Sequence, residues 1–289
     1  MTQDVLLAVD DLHVAYRGRT APVSALRGVS FKVGRERVGI VGESGSGKST
    51  IGLSILGLLP RGTDVRAKTL RLHDTDLLRA SERELRSIRG RRISMVLQDP
   101  KYSLNPVMTV GRQIAESYKV HTRASHPEAR RKTLEMLEAV RIRDPERVYR
   151  LYPHEVSGGM GQRVMIAMML IPEPELLIAD EPTSSLDVTV QAQLLVLIDE
   201  LIRRRHMGLI LISHNLNLVA SYCDRVVVLY AGRVMETLKA SDLQTARHPY
   251  TRGLLACRPL IDREQGDLPQ LQRDPAWLGD VAGDRELET

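Results

Sequence analysis

The chain is predicted to be an α/β protein built on a largely parallel sheet, and two features carry that prediction. Short apolar runs alternate with amphipathic stretches along most of its 289 residues, which is how strands joined by crossover helices read in sequence. One run, Val38-Gly39-Ile40-Val41, leads straight into Gly42-Glu43-Ser44-Gly45-Ser46-Gly47-Lys48-Ser49-Thr50 and then Ile51-Gly52-Leu53-Ser54. The spacing G-x-x-x-x-G-K-S between a strand and a helix is that of a phosphate-binding loop. Its glycines let successive backbone N–H groups face one anion, and the helix start adds its positive dipole end. Lys48 reaches the β- and γ-phosphates of a nucleotide, and the Ser49 hydroxyl can ligate Mg²⁺.

Before the loop, Leu6-Leu7-Ala8-Val9, Leu12-His13-Val14-Ala15-Tyr16 and residues 25–33 read as three strands of a small antiparallel sheet, the first two at its edge. Tyr16 reads either as a half-buried strand tyrosine or as an aromatic able to stack on an adenine ring. After the loop helix come a short strand at Leu70-Arg71-Leu72 and a charged helix over 81–89, with Ser81 and Glu84 placed as a capping box. Ile93-Ser94-Met95-Val96-Leu97 is a buried strand that stops at Gln98-Asp99-Pro100. Helical spacing then dominates: 110–120, 127–140 with Ala129, Leu134, Leu137 and Val140 near one face, and 157–170. Strand periodicity returns at Leu176-Leu177-Ile178-Ala179-Asp180-Glu181 and at Leu209-Ile210-Leu211-Ile212-Ser213-His214. A long amphipathic helix over 188–205 separates the two, and Arg203, Arg204 and Arg205 complement its C-terminal dipole. Residues 216–222 read as a helix, and Val226 to Tyr230 with Val234-Met235 as a hairpin about Ala231-Gly232. Beyond Ser241 the texture becomes polar after a short helical start at His248-Pro249-Tyr250-Thr251, and the last twenty or so residues have the composition of a disordered tail.

The composition narrows the function classes. Hydrophobic residues make up 43% and charged residues 27%, enough for a packed core, while aromatics are 3%. So few stacking platforms argue against a single-strand nucleic-acid binder. The net charge of +5 permits contact with an anionic surface and is equally the charge of an arginine-rich, solvated exterior. Cys223 and Cys257 are too far apart for a metal or disulfide framework, which fits a reducing compartment. Met1-Thr2-Gln3-Asp4-Val5 lacks the basic start and apolar core of a signal peptide. No apolar run is long enough to cross a bilayer, so any membrane role needs a span from another chain.

A second half to the phosphate loop is written further along. Asp180 ends a buried strand, where it can hold Mg²⁺ opposite Ser49, and Glu181 follows where it can polarise an attacking water. Such carboxylates lie at the strand edge where α/β sheets place their ligands. Gln98 and His214 end two further strands and suit contacts to the metal, the water or the γ-phosphate. Ser157-Gly158-Gly159 is a second anion-binding helix start. One nucleotide already fills the first loop, so this second grip is explained by a facing subunit, with two subunits sandwiching two ATPs.

With these residues in place, the chain resembles the ATP-binding subunits of ATP-binding-cassette transporters over about residues 6–260. In that family's terms Gly42 through Ser49 resembles the Walker A loop and Leu176 through Glu181 the Walker B strand. Gln98 matches the Q-loop glutamine, Ser157, Gly158, Gly159 and Met160 the signature, Ser184-Ser185-Leu186-Asp187 the D-loop, and His214 the switch histidine. The resemblance implies a RecA-like P-loop core with an antiparallel β subdomain and an inserted α-helical subdomain. The core would comprise 1–99 and 171–240, the helical signature subdomain 100–170, and a C-terminal extension 241–289. It implies that Tyr16 stacks on adenine, that residues 42–50 with Gln98, Asp180 and His214 bind ATP, and that Ser49, Gln98 and Asp180 hold Mg²⁺. Glu181, His214, Gln98 and Lys48 become the catalytic set.

Finer matches point within the family. Gln98-Asp99-Pro100, Ser103-Leu104-Asn105-Pro106, Gln162 through Met168, Leu186 through Gln191 and His248-Pro249-Tyr250-Thr251 resemble the dipeptide, oligopeptide and nickel importer group. That group pairs two different ATPase chains with two permeases and an extracytoplasmic solute-binding protein, at the cytoplasmic face of the cell membrane. Peptide import is the leading expectation. Nickel or metal-chelate import, and service to a soluble enzyme complex such as carbon–phosphorus lyase, are the alternatives; a cassette acting on nucleic acid or ribosomes fits less, because no second cassette or coiled-coil insert is present. Met160 stands where the signature usually has Gln, Gly161 where a basic residue is expected, and Ser185 where the D-loop has alanine. Relatives of this group often end in a cysteine-rich, iron–sulfur-binding tail. This chain has Cys257 alone there, so no cluster is expected.

Overall fold

The computed structural model describes residues 5–18, 20–97, 103–183, 186–257 and 274–278. Gln98, Ser184 and Ser185 lie outside the described residues. The chain forms two sheets. The antiparallel one contains β1 (Leu7–Tyr16), β2 (Val23–Val33), β4 (Asp64–Arg66), β5 (Thr69–Leu72) and β6 (Thr75–Asp76), in the order β2-β1-β5-β6 with β4 also on β1. The other runs β11-β10-β3-β9-β8-β7, from β3 (Arg37–Val41), β7 (Ile93–Val96), β8 (Leu176–Asp180), β9 (Gly208–Ser213), β10 (Arg225–Tyr230) and β11 (Arg233–Lys239). All its pairings are parallel except β10 with β11.

The N-terminal reading needs one correction. The two short edge strands expected before the loop are a single strand, β1, at the centre of its sheet, paired with β2 on one side and with β4 and β5 on the other. Asp11 takes a left-handed φ of 52°, and the register with β2 slips between Val9 and Leu12. Leu7 and Val9 are buried before this bulge and Leu12 and Val14 after it, so the inward side switches from odd to even positions.

The parallel sheet separates two cores. Ile40, Ile210, Ile212, Val227 and Leu229 pack with the antiparallel sheet and with Ile51 and Ile55 of α1 (Lys48–Ile55). Their neighbours Val41, Leu209, Leu211, Val226 and Val228 pack on the opposite side with the other helices, apart from α2 (Glu82–Ile88), whose Ile88 belongs to the first core. Every second residue facing alternate sides is the strand period, with both faces covered.

The helices on that side are α3 (Val110–His121), α4 (His126–Ala139), α5 (Pro145–Arg150), α6 (Gly158–Leu170), α7 (Val188–Arg204), α8 (Leu216–Tyr222) and α9 (Pro249–Ala256). Ser81 and Glu84 form the expected capping box of α2. On α4, Thr133 and Met136 are buried beside Ala129 and Leu137, while Leu134 is half-buried. Helix α5 was not anticipated, although Asp144 as N-cap before Pro145 is a start signal. Helices α3, α4 and α6 pack side by side, and the Ser117 hydroxyl donates to the Met168 carbonyl at 2.8 Å. Helix α6 is continuous through Gly161, whose N–H donates to Ser157 O at 2.8 Å.

Candidate functional site

Three parallel strands end in one row, and that alignment assembles the site. Val41 of β3 pairs with Ser213 of β9, and Asp180 of β8 pairs with Ile212. The chain therefore leaves the sheet at Gly42, Glu181 and His214 along the same C-terminal edge. This brings the phosphate loop, the paired carboxylates and the strand-end histidine together, as the sequence predicts.

The loop is held from behind. A Cβ on Gly42 would lie 2.0 Å from the Leu229 carbonyl oxygen and 2.8 Å from Ser46 Oγ. Gly47 has φ 98°, and a Cβ there would meet the Ala25 carbonyl oxygen at 2.6 Å. The β10–β11 turn adds a hydrogen bond from Gly232 N–H to Ser46 O at 3.0 Å. Strands β2 and β10 thus press the curl of the loop outward. No side chain caps α1, so its first N–H groups are free for an anion.

Lys48 points back into the loop. Its ammonium is buried, donating to Gly42 O at 2.9 Å, Glu43 O at 2.7 Å and Ser46 Oγ at 3.5 Å. Burial lowers its pKa, against the attraction of Glu181, Asp180 and Glu43. Asp180 is buried as well, and burial raises its pKa, while a hydrogen bond from Ser49 and the nearby Lys48 pull the other way. Ser49 and Asp180 thus present two hard oxygen ligands side by side, a donor set that fits Mg²⁺.

Glu181 follows with a left-handed φ of 45°, which turns its side chain off the strand; its N–H donates to Ile212 O at 2.9 Å. Its carboxylate meets His214 Nδ1 at 2.8 Å. The two line a cleft of about 140 Å³ with Thr183, Leu186, Gln191, Ser213 and Asn215. Gln191 donates to the Thr183 hydroxyl at 2.8 Å across this cleft. Thr183 and Asn215 carried no motif signal, and Gln191 stood out only as the end of the Leu186 to Gln191 stretch; Asn215 is legible only as the N-cap of α8.

The remaining predicted residues are placed as follows. Tyr16 is half-buried, and its hydroxyl reaches Thr50 Oγ1 at 3.1 Å, which sets the ring beside the first turn of α1. Asp187 is the N-cap of α7, accepting from Val190 N–H at 3.0 Å. Ser157 is the exposed N-cap of α6, accepting from Met160 N–H at 3.4 Å. A Cβ on Gly158 would meet nothing within 4 Å, and one on Gly159 would meet Val190 at 3.2 Å.

Comparison with known proteins decides the family. Residues 26–184, more than half of the chain, match the family model described as ABC transporter. The chain belongs to the ABC transporter family. A probable peptide ABC transporter ATP-binding protein of Sinorhizobium fredii is 51% identical, covering 94% of this chain and 82% of that protein. The dipeptide transport ATP-binding protein DppD of Bacillus subtilis is 46% identical over the same shares, 94% and 82%. The oligopeptide transport ATP-binding protein OppD of Salmonella typhimurium is 44% identical, covering 95% and 82%. Among solved structures, a dimeric ATP-binding cassette in a post-hydrolysis state with ADP and phosphate superposes with a TM-score of 0.68 at 27% identity, covering 81% of this chain and 98% of that one. The cassette CbiO1 of Clostridium perfringens gives 0.71 at 27% identity, covering 84% and 92%. This ABC subunit is an ATPase with the cassette fold.

Proposed function

We propose that this ABC ATPase powers the uptake of peptides through partner permeases. The observation that carries the reading is the single edge on which Lys48, the Ser49–Asp180 pair and the Glu181–His214 pair converge. Similarity along 94% of the chain to ATPases named for peptide transport supports the substrate class. The working units are a nucleotide-binding core of 1–99 and 171–240, a helical lobe of 100–170 and a C-terminal extension of 241–289.

In this reading the loop N–H groups receive the ATP phosphates, with Tyr16 against the adenine. Ser49 and Asp180 would hold Mg²⁺, with Gln98 as a further ligand, and the ion would supply neutralisation of phosphate charge. Lys48 gives its ammonium to the γ-phosphate oxygens, where charge builds during transfer. Glu181 orients the attacking water and takes its proton. His214 steadies Glu181 through Nδ1, and its Nε2 edge faces the γ-phosphate. Ser157, Gly158, Gly159 and Met160 close on the ATP of a second ATPase chain, and the D-loop residues Ser184, Ser185, Leu186 and Asp187 line the same junction. The chain sits at the cytoplasmic membrane face by docking on two permeases, fed by an external binding protein; among the described residues no helix is long and apolar enough to cross a membrane. No iron–sulfur cluster is included, since a cluster needs several thiolates and residues 241–289 carry Cys257 alone.

Reconstitution with the permeases and the partner ATPase tests the reading. Glu181→Gln should leave ATP binding intact and cut peptide-stimulated hydrolysis by about 100-fold or more. Hydrolysis at the wild-type rate would remove Glu181 from its role. Vesicles that take up nickel and not peptide would overturn the substrate class.

A further inference from the structure

The C-terminal end of the chain builds part of the wall behind the phosphate loop. Tyr250, in the first turn of α9, is fully buried. Its hydroxyl accepts a hydrogen bond from the Glu43 N–H at 3.2 Å, across 207 positions of sequence. The carbonyl of the same Glu43 accepts from Lys48 Nζ at 2.7 Å. Glu43 is therefore pinned at both of its backbone groups, one by the loop's own lysine and one by the distant helix.

The tyrosine is itself locked. Its ring lies 4.7 Å from that of Tyr230, which follows the Leu229 carbonyl pressed against Gly42. Trp277 closes over both, with centroids 5.8 Å from Tyr250 and 5.9 Å from Tyr230, and lies 5.7 Å from His248. Glu236 of β11 anchors the start of α9 by accepting from Arg247 N–H at 2.8 Å and His248 N–H at 3.2 Å. His248 Nδ1 accepts from Tyr250 N–H at 3.1 Å. A buried hydroxyl carried on a ring held this tightly does more than fill space: it fixes where the Glu43 N–H points, and so how the loop curls.

We infer that Tyr250 is a positioning residue for nucleotide binding, acting through Glu43 to hold the phosphate loop in its receptive curl, with Trp277 as the clasp that keeps α9 in place. The inference rests on the reading of the loop as the ATP site. In this reading Tyr250 acts on the backbone of the loop and not on the bound nucleotide. Its effect belongs to affinity, because a loop already curled loses less freedom on binding. The hydrolysis step, made by other residues, is untouched.

The test is Tyr250→Phe in the full chain, which keeps the ring and removes the oxygen. ATP Kd measured by calorimetry, and KM for ATP in the assembled transporter, should rise about three- to tenfold, the worth of one hydrogen bond. The kcat should stay within about twofold of wild type. Hydrogen exchange should show the Glu43 amide losing protection while β8 and β9 keep theirs. A purely structural tyrosine would lower the unfolding midpoint and leave Kd and KM alone, and that result overturns the proposal. If Tyr250→Phe does not fold, Trp277→Leu supplies the measurement: a raised Kd of smaller size supports the clasp, and an unchanged one overturns it. Lys48→Ala runs alongside. Lost binding there with normal binding in Tyr250→Phe sinks this inference alone, whereas normal binding in Lys48→Ala sinks the assignment of the loop itself.

Discussion

Two helix starts in this molecule carry the small, polar sequence that suits an anion, and they are finished to different degrees. The start of α1 is backed on every side: Gly42 and Gly47 are in near-contact with the carbonyls of Leu229 and Ala25, Tyr250 holds Glu43, and Lys48 is buried among loop oxygens. The start of α6 is bare. Ser157 and Gly158 are exposed, the serine caps its own helix, and a methyl group on Gly158 would touch nothing within 4 Å. A site built to bind alone needs walls that fix its backbone. A site built to complete another chain's pocket must leave its face open, and the partner then supplies the wall.

The largest expected effect separates the two. Lys48→Ala should abolish nucleotide binding by the isolated subunit, a loss of 100-fold or more in Kd on the order of what one desolvated charge contact supplies. Gly158→Ala should leave that Kd unchanged and the unfolding free energy equal or higher by less than about 1 kcal/mol, since alanine favours helix over glycine. In the assembled transporter Gly158→Ala is no longer silent: if Ser157, Gly158 and Gly159 close on the partner's ATP as proposed, the added methyl meets that ATP and turnover falls at least about tenfold. Calorimetry on the monomer and ATPase assays on the complex read both halves. A Gly158→Ala monomer that had lost ATP affinity would place the second grip inside its own subunit's site.

A subtler break acts on the wall. Gly42→Ala places a methyl 2.0 Å from Leu229 O and 2.8 Å from Ser46 Oγ, and the first of these is backbone that cannot swing aside. Overpacking of this kind costs about 1–3 kcal/mol. Denaturant unfolding should show that loss together with weaker ATP binding, whereas Gly158→Ala shows neither in the monomer. Equal stability of Gly42→Ala and wild type would mean that β10 does not brace the loop.

The contrast between the two starts also marks what could be read from sequence. Each grip was legible because its chemistry is local: a few glycines, a lysine or serine, then a helix. The carboxylate pair and His214 were legible because a strand end is a sequence signal. What holds the first grip was not legible. Leu229, Gly232 and Tyr250 reach the loop from far along the chain, and only the sheet order β10-β3-β9 brings them there. His248-Pro249-Tyr250-Thr251 stood out as a motif, but nothing local ties it to Glu43. The misreading of β1 has a similar root. A bulge at Asp11 shifts the inward face by one residue, and a shifted alternation reads as two strands when it is one. Helical spacing groups Leu134 with Ala129, Leu137 and Val140 near one face, yet Leu134 is half-buried and the rotation of α4 buries Thr133, whose hydroxyl donates to Ala129 O at 2.8 Å.

The smallest expected effect comes from the charge kept inside the walled site. Burial raises the Asp180 pKa despite the hydrogen bond from Ser49 and the attraction of Lys48, so the sum of its surroundings favours the neutral acid. A carboxyl with a raised folded pKa binds its proton more tightly folded than unfolded. Its cost to stability is absent below the unfolded value of about 3.9 and is present in full once pH exceeds the folded one. Asp180→Asn keeps the shape and an acceptor for Ser49 while removing the ionisation. The nucleotide-free variant should therefore unfold at a higher temperature than wild type at pH 7. That advantage should shrink as the pH is lowered towards 4, where the wild-type carboxyl is itself neutral. A variant less stable than wild type at pH 7 would mean that the ionised carboxylate steadies Lys48 by more than its own burial costs. A stabilised variant would place Asp180 among residues kept for function at a cost to the fold. No such effect is expected at the open start of α6, where Ser157 is uncharged and solvated.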